Sequence, residues 1–207
     1  SLPYAKSQPL TISELDLSAP GKNEVLVKIT AAGLCHSDLS VVNINRPRPL
    51  PMLLGHESAG IVEEVGPNVS KVKKGDHVVM TFLPRCGECD GCKTNGKIPC
   101  KVGSASNAKG TLIRGTRHLT REGETIQHHL GVSGFATHAV VSELSVVPIG
   151  DDVPSDIAAI FGCAILTGGG AILNEVEPKP EDSIAVVGLG GVGMSAIITA
   201  AALGVNE

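Results

Sequence analysis

Four of the six cysteines in this chain are crowded into one short segment, where Cys86, Cys89, Cys92 and Cys100 follow the spacing C-x2-C-x2-C-x7-C. A tight turn can direct thiols at this spacing toward one point, which is the ligand pattern of a structural zinc site. The alternatives are a disulfide pair, which a reducing compartment disfavours, and four inert thiols, which a polar glycine-rich segment disfavours. Four thiolates fill every coordination position of Zn²⁺, so the pattern predicts a structural metal site.

The segment between Cys86 and Gly134 contains eight glycines and shows little hydrophobic periodicity. We therefore expect metal coordination, rather than a hydrophobic core, to order its first part, the zinc lobe (residues 85–109). The lobe also carries basic residues that could balance the charge of the thiolates, although a solvated loop has the same composition: Arg85, Lys93, Lys97 and Lys101.

Composition excludes several classes of protein. The chain has 207 residues, 42% of them hydrophobic, and 17 basic against 21 acidic side chains, which is typical of a folded domain and offers no basic surface for nucleic acid. Its first ten residues, SLPYAKSQPL, lack the pattern of an export signal, so we expect a cytoplasmic protein. Residues 183–205 carry no charge, but the glycines within them indicate a turn between a strand and a helix, so we expect no membrane span.

The order of local patterns predicts a mixed α/β chain. Strand patterns at 25–29, 60–66 and 76–80, and again within 135–149, predict an antiparallel, barrel-like β domain. Helical spacing begins at Asp156, a further helix is expected over 167–174, and residues 184–187 are expected to form a strand before a glycine turn and a helix. We place a domain boundary near residue 165, with a β domain at 1–165 and a second unit at 166–207.

Cys35 and Cys163 are the remaining cysteines, and each alone is typical of a buried apolar residue. The turn Gly55-His56-Glu57 adds an imidazole to this inventory. Two thiolates and one imidazole would leave Zn²⁺ neutral with one open position, which is the coordination of a catalytic zinc. The sequence thus offers seven candidate ligands in two sets.

The segment Gly188-Leu189-Gly190-Gly191-Val192-Gly193 matches G-x-G-x-x-G. Alone this motif is also typical of a simple tight turn. Between an expected strand and an expected helix it favours a seat for the pyrophosphate of a dinucleotide at the helix N-terminus.

With these motifs in this order, the chain resembles the zinc-dependent medium-chain alcohol dehydrogenases over its whole length. It is most similar to the branch of the animal alcohol dehydrogenases and glutathione-dependent formaldehyde dehydrogenases, because Gly115-Thr116-Arg117 and the segment 126–131 (IQHHLG) match that branch's long loop. The resemblance implies a GroES-like β-barrel domain, residues 1–165, followed by the start of a Rossmann-type doubly wound parallel sheet, residues 166–207.

The resemblance also implies a role for individual residues. Cys35, His56 and Cys163 match the catalytic zinc ligands, and Cys86, Cys89, Cys92 and Cys100 match the structural ones, giving two zinc ions per chain. Ser37 matches the hydroxyl that passes the substrate proton outward, and Asp38 the carboxylate that orients His56. Glu57 matches the acid beside the metal, and Phe82 a wall of the substrate pocket. The coenzyme, NAD or NADP, would contact His36, Thr167 and the glycine motif.

Three features depart from the family pattern. Ser40 stands where many members carry a histidine at the outer end of the proton relay, and Thr167-Gly168-Gly169-Gly170 lacks a bulky residue near the coenzyme cleft. The third departure is that the sequence stops at Glu207, before the acidic residue that usually binds the adenosine ribose. We therefore expect the 207 residues to be a fragment that is inactive alone.

The expected function is that of an oxidoreductase that moves hydride between a small alcohol or aldehyde and a nicotinamide cofactor. An alternative is a zinc-binding domain or truncated product without turnover, and another is a reductase acting on aldehydes or glutathione adducts. We expect a homo-oligomer for the full-length form, with neither nucleic acid nor membrane as a partner.

Overall fold

The computed structural model of the chain describes residues 6–94 and 96–205. Its strands are β1 (Asp16–Leu17), β2 (Glu24–Gly33), β3 (Met52–Leu53), β4 (Glu57–Val65), β5 (His77–Met80), β6 (Leu119–Arg121), β7 (Glu124–His128), β8 (His138–Ser142) and β9 (Val146–Pro148). Its α-helices are α1 (His36–Val42), α2 (Lys101–Lys109), α3 (Ser155–Ala158), α4 (Ala164–Ala171) and α5 (Gly191–Ala202). Short 3-10 segments lie at Cys92–Thr94, Glu143–Ser145 and Ala159–Gly162, and α4 continues into a π-helical turn at Ile172–Val176.

Two sheets form the β domain. The larger has the strand order β8-β2-β4-β5-β9, and all of its neighbouring strands are antiparallel. The smaller has the order β1-β6-β7-β3, with β3 parallel to β7. The strands predicted from residues 25–29, 60–66 and 76–80 are confirmed as β2, β4 and β5, with shifts of a few residues at their ends.

Valine side chains fill the core between the strands. Val25 and Val27 of β2, Val62 of β4 and Val78 of β5 are fully buried in one cluster, together with Met80. Burial of a side chain of this size stabilises the fold by about 1.5–3 kcal/mol. The strands β2 and β4 contribute to this core, and the candidate site residues Cys35 and His56 lie just beyond one end of each.

The segment 86–134 contains more regular structure than its sequence suggests. Helix α2 was not predicted because its sequence, KVGSASNAK, has no apolar stripe; its ends are nevertheless defined by Cys100 as N-cap and by Gly110 in the left-handed conformation (φ 66°). The hairpin β6–β7 turns through Glu122 and Gly123, both at positive φ, as a two-residue type I′ turn requires.

Glu24 attaches this long segment to the large sheet. Its buried carboxylate lies 2.8 Å from Nε2 of His118, accepts a hydrogen bond from Thr116, and accepts another from the backbone N–H of Gly21 at 2.8 Å. Burial would raise the pKa of Glu24, but these contacts lower it below its usual value.

The helical segments before Cys163 pack against the β strands, and those after it pack against each other. The 3-10 segment Ala159–Gly162 and α3 pack on β2 and β4, whereas α4 packs against α5. Gly168 permits the second contact, because a Cβ there would clash with the carbonyl oxygen of Val192. Gly168 therefore allows a close helix crossing; the division into units at 1–165 and 166–207 remains a proposal.

Residues 184–187, predicted as a strand, pair with no other strand among the described residues and are not part of a sheet. A strand is stabilised by hydrogen bonds to a neighbour, and none is present here. Ile184 and Val186 instead pack against a small cluster formed by Ile172, Ala196 and Ala200. The predicted helix after the glycine turn is α5.

Among the described residues, no single helix is both long and apolar enough to cross a membrane. Only the helical segments Ser155–Gly162 and Ala164–Val176 taken together reach that length and hydropathy, and they are bent by 57° relative to each other.

Candidate active site

The four cysteines of the zinc lobe bring their sulfur atoms to one point. The Sγ–Sγ distances are 3.8 Å for Cys86–Cys92, 3.6 Å for Cys89–Cys92 and 3.8 Å for Cys89–Cys100. Zinc–sulfur bonds of about 2.3 Å imply an edge of about 3.8 Å for a regular tetrahedron. The group therefore has the dimensions of a four-thiolate zinc site.

Backbone N–H groups of the lobe point toward these sulfur atoms. Gly87 N lies 3.3 Å from Cys92 Sγ, and the Cys86 and Gly103 amides lie 3.4 and 3.3 Å from Cys100 Sγ. Hydrogen bonding to the Cys92 backbone lowers the pKa of Cys89 to about 6, whereas desolvation raises the pKa of Cys92 to about 11. A divalent cation at this point would allow all four thiols to ionise.

Two basic side chains form polar contacts within the zinc lobe. The Arg85 guanidinium donates to the carbonyl oxygens of Ile98, at 3.2 Å, and Gly91. The Lys101 ammonium lies 2.8 Å from the Asp90 carboxylate, with both side chains largely exposed. Arg85 and Lys101 are therefore engaged within the lobe itself.

A second group combines Cys35, His56, Glu57 and Cys163. One ligand atom from each residue lies within 4.8 Å of all the others. Cys35 is the N-cap of α1, His56 and Glu57 lie at the start of β4, and Cys163 lies between a 3-10 segment and α4. The structure thus brings together three segments that are distant in sequence.

Asp38 orients the imidazole of this group. Its Oδ1 atom lies 3.1 Å from Nδ1 of His56 and accepts a hydrogen bond from the backbone N–H of Gly55 at 3.1 Å. Burial lowers the pKa of His56, but hydrogen bonds to Asp38 and Cys163 outweigh this effect and raise the pKa to about 10. With Nδ1 occupied by the carboxylate, Nε2 is left to serve as a metal ligand.

His129 is a member of the site that sequence reasoning missed as an individual residue. It is 1% exposed, its Nδ1 lies 3.1 Å from the same Asp38 Oδ1, and its ring meets that of His56 edge-on at a centroid distance of 5.4 Å. The available signal was a pair of histidines, His128 and His129, within the loop segment that carries the family resemblance.

A cavity of about 230 Å³ opens beside the second group. His56 and Cys163 line it together with Ser37, and Phe82, Leu83 and Leu130 supply apolar walls. Phe82 also contacts His56 edge-on, with ring centroids 5.9 Å apart. Ser37 and Phe82 therefore both lie at the cavity beside the second group.

Arg46 and Arg48 also line this cavity. Nothing in the sequence pattern marked them, because the segment Asn45–Leu50 resembles a simple proline-rich loop. Ser40, by contrast, is not a lining residue; its hydroxyl donates to the carbonyl oxygen of His36 within α1 at 3.0 Å.

Most of the expected coenzyme residues lie on another part of the chain, whereas His36 lies in α1 beside Ser37. Gly188 adopts φ 102°, which favours glycine, and Gly190 is the N-cap of α5, whose first amide groups have no side-chain cap. His36 and Thr167 are exposed, as are Leu189 and Val192. The motif thus forms the turn before a helix, and the structure does not bring it into the cavity lined by His56.

A β domain that carries a four-thiol group and a separate thiol–imidazole group beside a cavity defines a candidate metal-dependent enzyme domain. A sequence model described as the alcohol dehydrogenase GroES-like domain matches residues 21–151. The chain belongs to this family, which confirms the resemblance found in the sequence.

Individual relatives agree with this assignment. An S-(hydroxymethyl)glutathione dehydrogenase of Escherichia coli is 37% identical over 195 residues, which is 94% of this chain and 53% of the relative. A zinc-binding alcohol dehydrogenase domain protein from Burkholderia ambifaria has a TM-score of 0.90 at 38% identity over 97% of this chain and 54% of its own. Benzyl alcohol dehydrogenase from Acinetobacter calcoaceticus has a TM-score of 0.83 at 37% identity, covering 93% and 52%. The chain therefore spans about half the length of these relatives.

Proposed function

We propose that this chain is the catalytic half of a zinc-dependent oxidoreductase that moves hydride between an alcohol or aldehyde and NAD or NADP. The observation that carries the proposal is the group Cys35, His56 and Cys163 at the edge of a cavity that also contains Ser37. Three ligands, of which His56 and Cys163 line the cavity, would leave one position for a substrate oxygen, which distinguishes this group from the closed four-thiol group.

The side chains around the cavity have complementary roles. Zinc, when bound, would supply Lewis acidity that lowers the pKa of an alcohol hydroxyl. Ser37 accepts the substrate proton and passes it to water, while Asp38 holds His56 through Nδ1. Phe82 and the neighbouring leucines exclude water from the reacting carbon. Glu57, buried beside the ligands, is assigned as the acid next to the metal on the family resemblance.

The coenzyme would bind across the second unit. The free amide groups at the start of α5 suit a pyrophosphate, because a helix N-terminus stabilises negative charge. His36 and Thr167 are assigned to the phosphates and to the nicotinamide on the family resemblance. We also propose two zinc ions per chain, a homo-oligomer for the full-length form and a cytoplasmic location.

The second candidate is a zinc-binding domain without turnover. The exposure of the glycine motif and the unpaired residues 184–187 favour it, because a nicotinamide must be held rigidly to accept hydride. We expect residues 1–207 alone to show little or no dehydrogenase activity.

A chimera separates the two candidates. Residues 1–207 would replace the matching part of the Escherichia coli relative, so that the rest of the coenzyme domain comes from a known dehydrogenase. We expect alcohol-dependent reduction of NAD, and its loss in the His56→Ala chimera. A chimera that folds and binds two zinc ions and NAD, yet turns over no alcohol or aldehyde, would favour the second candidate.

A further inference from the structure

Arg46 and Arg48 give the cavity beside His56 a positive charge that the reaction does not require. Both line the cavity, and among the described residues neither guanidinium forms an ion pair with a carboxylate. Arg48 Nε is buried and has no hydrogen-bond partner there. A buried donor without a partner costs free energy, which a ligand that accepts its hydrogen bond would recover.

The two arginines also act on each other and on the rest of the site. Desolvation and the charge of Arg46 both lower the pKa of Arg48. Burial lowers the pKa of His129, and the charges of His56 and Arg48 add to this effect. Asp38, the carboxylate of this region, is already shared by His56 and His129. The charge of the guanidinium pair is therefore left without a counterion from the described residues.

The position of Arg46 and Arg48 indicates that the anion they bind belongs to the substrate rather than to the coenzyme. The described residues that line the cavity extend no further along the chain than Cys163, so neither the glycine motif nor α5 contributes to it. The same cavity has apolar walls at Phe82 and Leu130 and metal-group residues at His56 and Cys163. A ligand that fills the cavity would therefore contain three parts: a hydroxyl or carbonyl group for the zinc, an apolar body and an anionic group.

We infer that Arg46 and Arg48 form an anion-binding site for the substrate, and that the alcohol or aldehyde accepted by this chain carries a carboxylate. This inference rests on the proposed function and narrows its substrate class. Guanidinium groups bind carboxylates through two parallel hydrogen bonds, which gives geometric selection as well as affinity.

The binding test compares 4-(hydroxymethyl)benzoate with benzyl alcohol, which differ by the carboxylate. Calorimetric titration of the zinc-loaded chain is expected to give an affinity at least about tenfold higher for the benzoate, as charge-assisted hydrogen bonds allow. Arg46→Gln, at an exposed position that should not disturb folding, is expected to lower this ratio several-fold, and the double change with Arg48→Gln to bring it near one. Arg121→Gln, on the β6–β7 hairpin, removes an equal charge outside the cavity and should leave the ratio unchanged.

The chimera provides a second readout, the ratio of kcat/KM for the same two alcohols. The inference is wrong and the proposed function stands if the chimera oxidises both alcohols but the affinity and kcat/KM ratios are near one. The same holds if high ratios persist after the double substitution. If the chimera oxidises neither, while the chain still prefers the benzoate in a way that depends on the arginines, the proposed function fails and the anion site remains. Loss of NADH affinity in the double variant, with NADH displacing the benzoate, would assign the arginines to the coenzyme and overturn the inference.

Discussion

The two thiol groups of this protein differ in how the chain assembles them. The four-thiol group comes from one segment of fifteen residues, Cys86–Cys100, and its sulfur atoms accept hydrogen bonds from amides of the same lobe. The Cys35–His56–Cys163 group comes from three segments, and a buried carboxylate, Asp38, orients its imidazole. The first group depends on local geometry and the second on the fold of the β domain.

This difference explains how each group can respond to change. A local metal site can lose its metal and unfold its own segment while the β core remains intact. A site built from distant segments depends on the positions of β4, α1 and the start of α4 at once. The expected consequences can be measured on the zinc-loaded chain and on the chimera.

The largest effect is expected from removing one ligand of the lobe. Cys92→Ser should lower the zinc content from two ions to one and expose residues 85–109 to proteolysis, because structural zinc contributes apparent binding free energies of about 10–16 kcal/mol. Metal analysis and limited proteolysis measure both changes. Cys163→Ser is the matched control, which should also lose one zinc ion but leave the lobe protected. Release of both ions by either substitution would show that the groups are not independent.

Ser37→Ala is expected to lower alcohol oxidation by the chimera by about 10²- to 10⁴-fold, because a group that relays a proton acts mainly in the transition state. NAD affinity should change far less. Ser40→Ala, in the same helix but outside the cavity lining, serves as the control and should retain the rate within about twofold. Full activity of the Ser37 variant across neutral pH would mean that the proton leaves by another route.

Asp38→Asn should weaken zinc binding at the Cys35–His56–Cys163 group by about 10- to 100-fold, because it removes the charged partner that orients His56. Competition with a chelator measures the two sites separately. Asp90→Asn removes an exposed carboxylate beside the lobe, whose ion pair with Lys101 is solvated, and should alter zinc affinity at the lobe by less than about twofold. An equal loss at both sites would remove the distinction between local and distant assembly.

The smallest of these effects is expected from weakening the contact between the large sheet and the segment that follows the zinc lobe. Glu24→Gln should destabilise the chain by about 1–3 kcal/mol at pH 7, because it removes the charge that His118 and Thr116 contact. Since folding lowers the pKa of Glu24, its contribution is present above the unfolded value of 4.5 and is lost as the pH falls through the folded value. Denaturant unfolding between pH 7 and pH 3 should show the two proteins converging in acid. A constant difference across this range would contradict the role of the charge.

The same contrast between local and distant assembly governs what the sequence could predict. The cysteine spacing identified the lobe because its ligands are neighbours in sequence, and the strand patterns at 25–29, 60–66 and 76–80 identified β2, β4 and β5. Helix α2 was missed because a polar helix beside a metal site needs no apolar stripe. The strand predicted at 184–187 was inferred from its residues alone, whereas a strand also requires a partner.

The candidate site shows the same limit at the level of single residues. Cys35, His56 and Cys163 were grouped by the ligand chemistry of zinc and then by the family resemblance, since no spacing in the sequence relates them. His129 and the two arginines of the cavity were not identified, because their positions beside Asp38 and His56 depend on how the segments that carry them fold. Distances between such loops follow from tertiary packing and not from periodicity.

The single oxygen atom Asp38 Oδ1 lies 3.1 Å from Nδ1 of both His56 and His129. An ionised carboxylate can only accept hydrogen bonds, so the His56 ring must carry a proton on Nδ1 to donate to it. The contact with His129 lacks the geometry of a hydrogen bond, and the buried Nδ1 of His129 has no hydrogen-bond partner among the described residues. One carboxylate oxygen thereby sets the direction of the His56 ring and leaves Nε2 as the ring atom through which His56 could bind a metal, although two rings lie equally near to that oxygen.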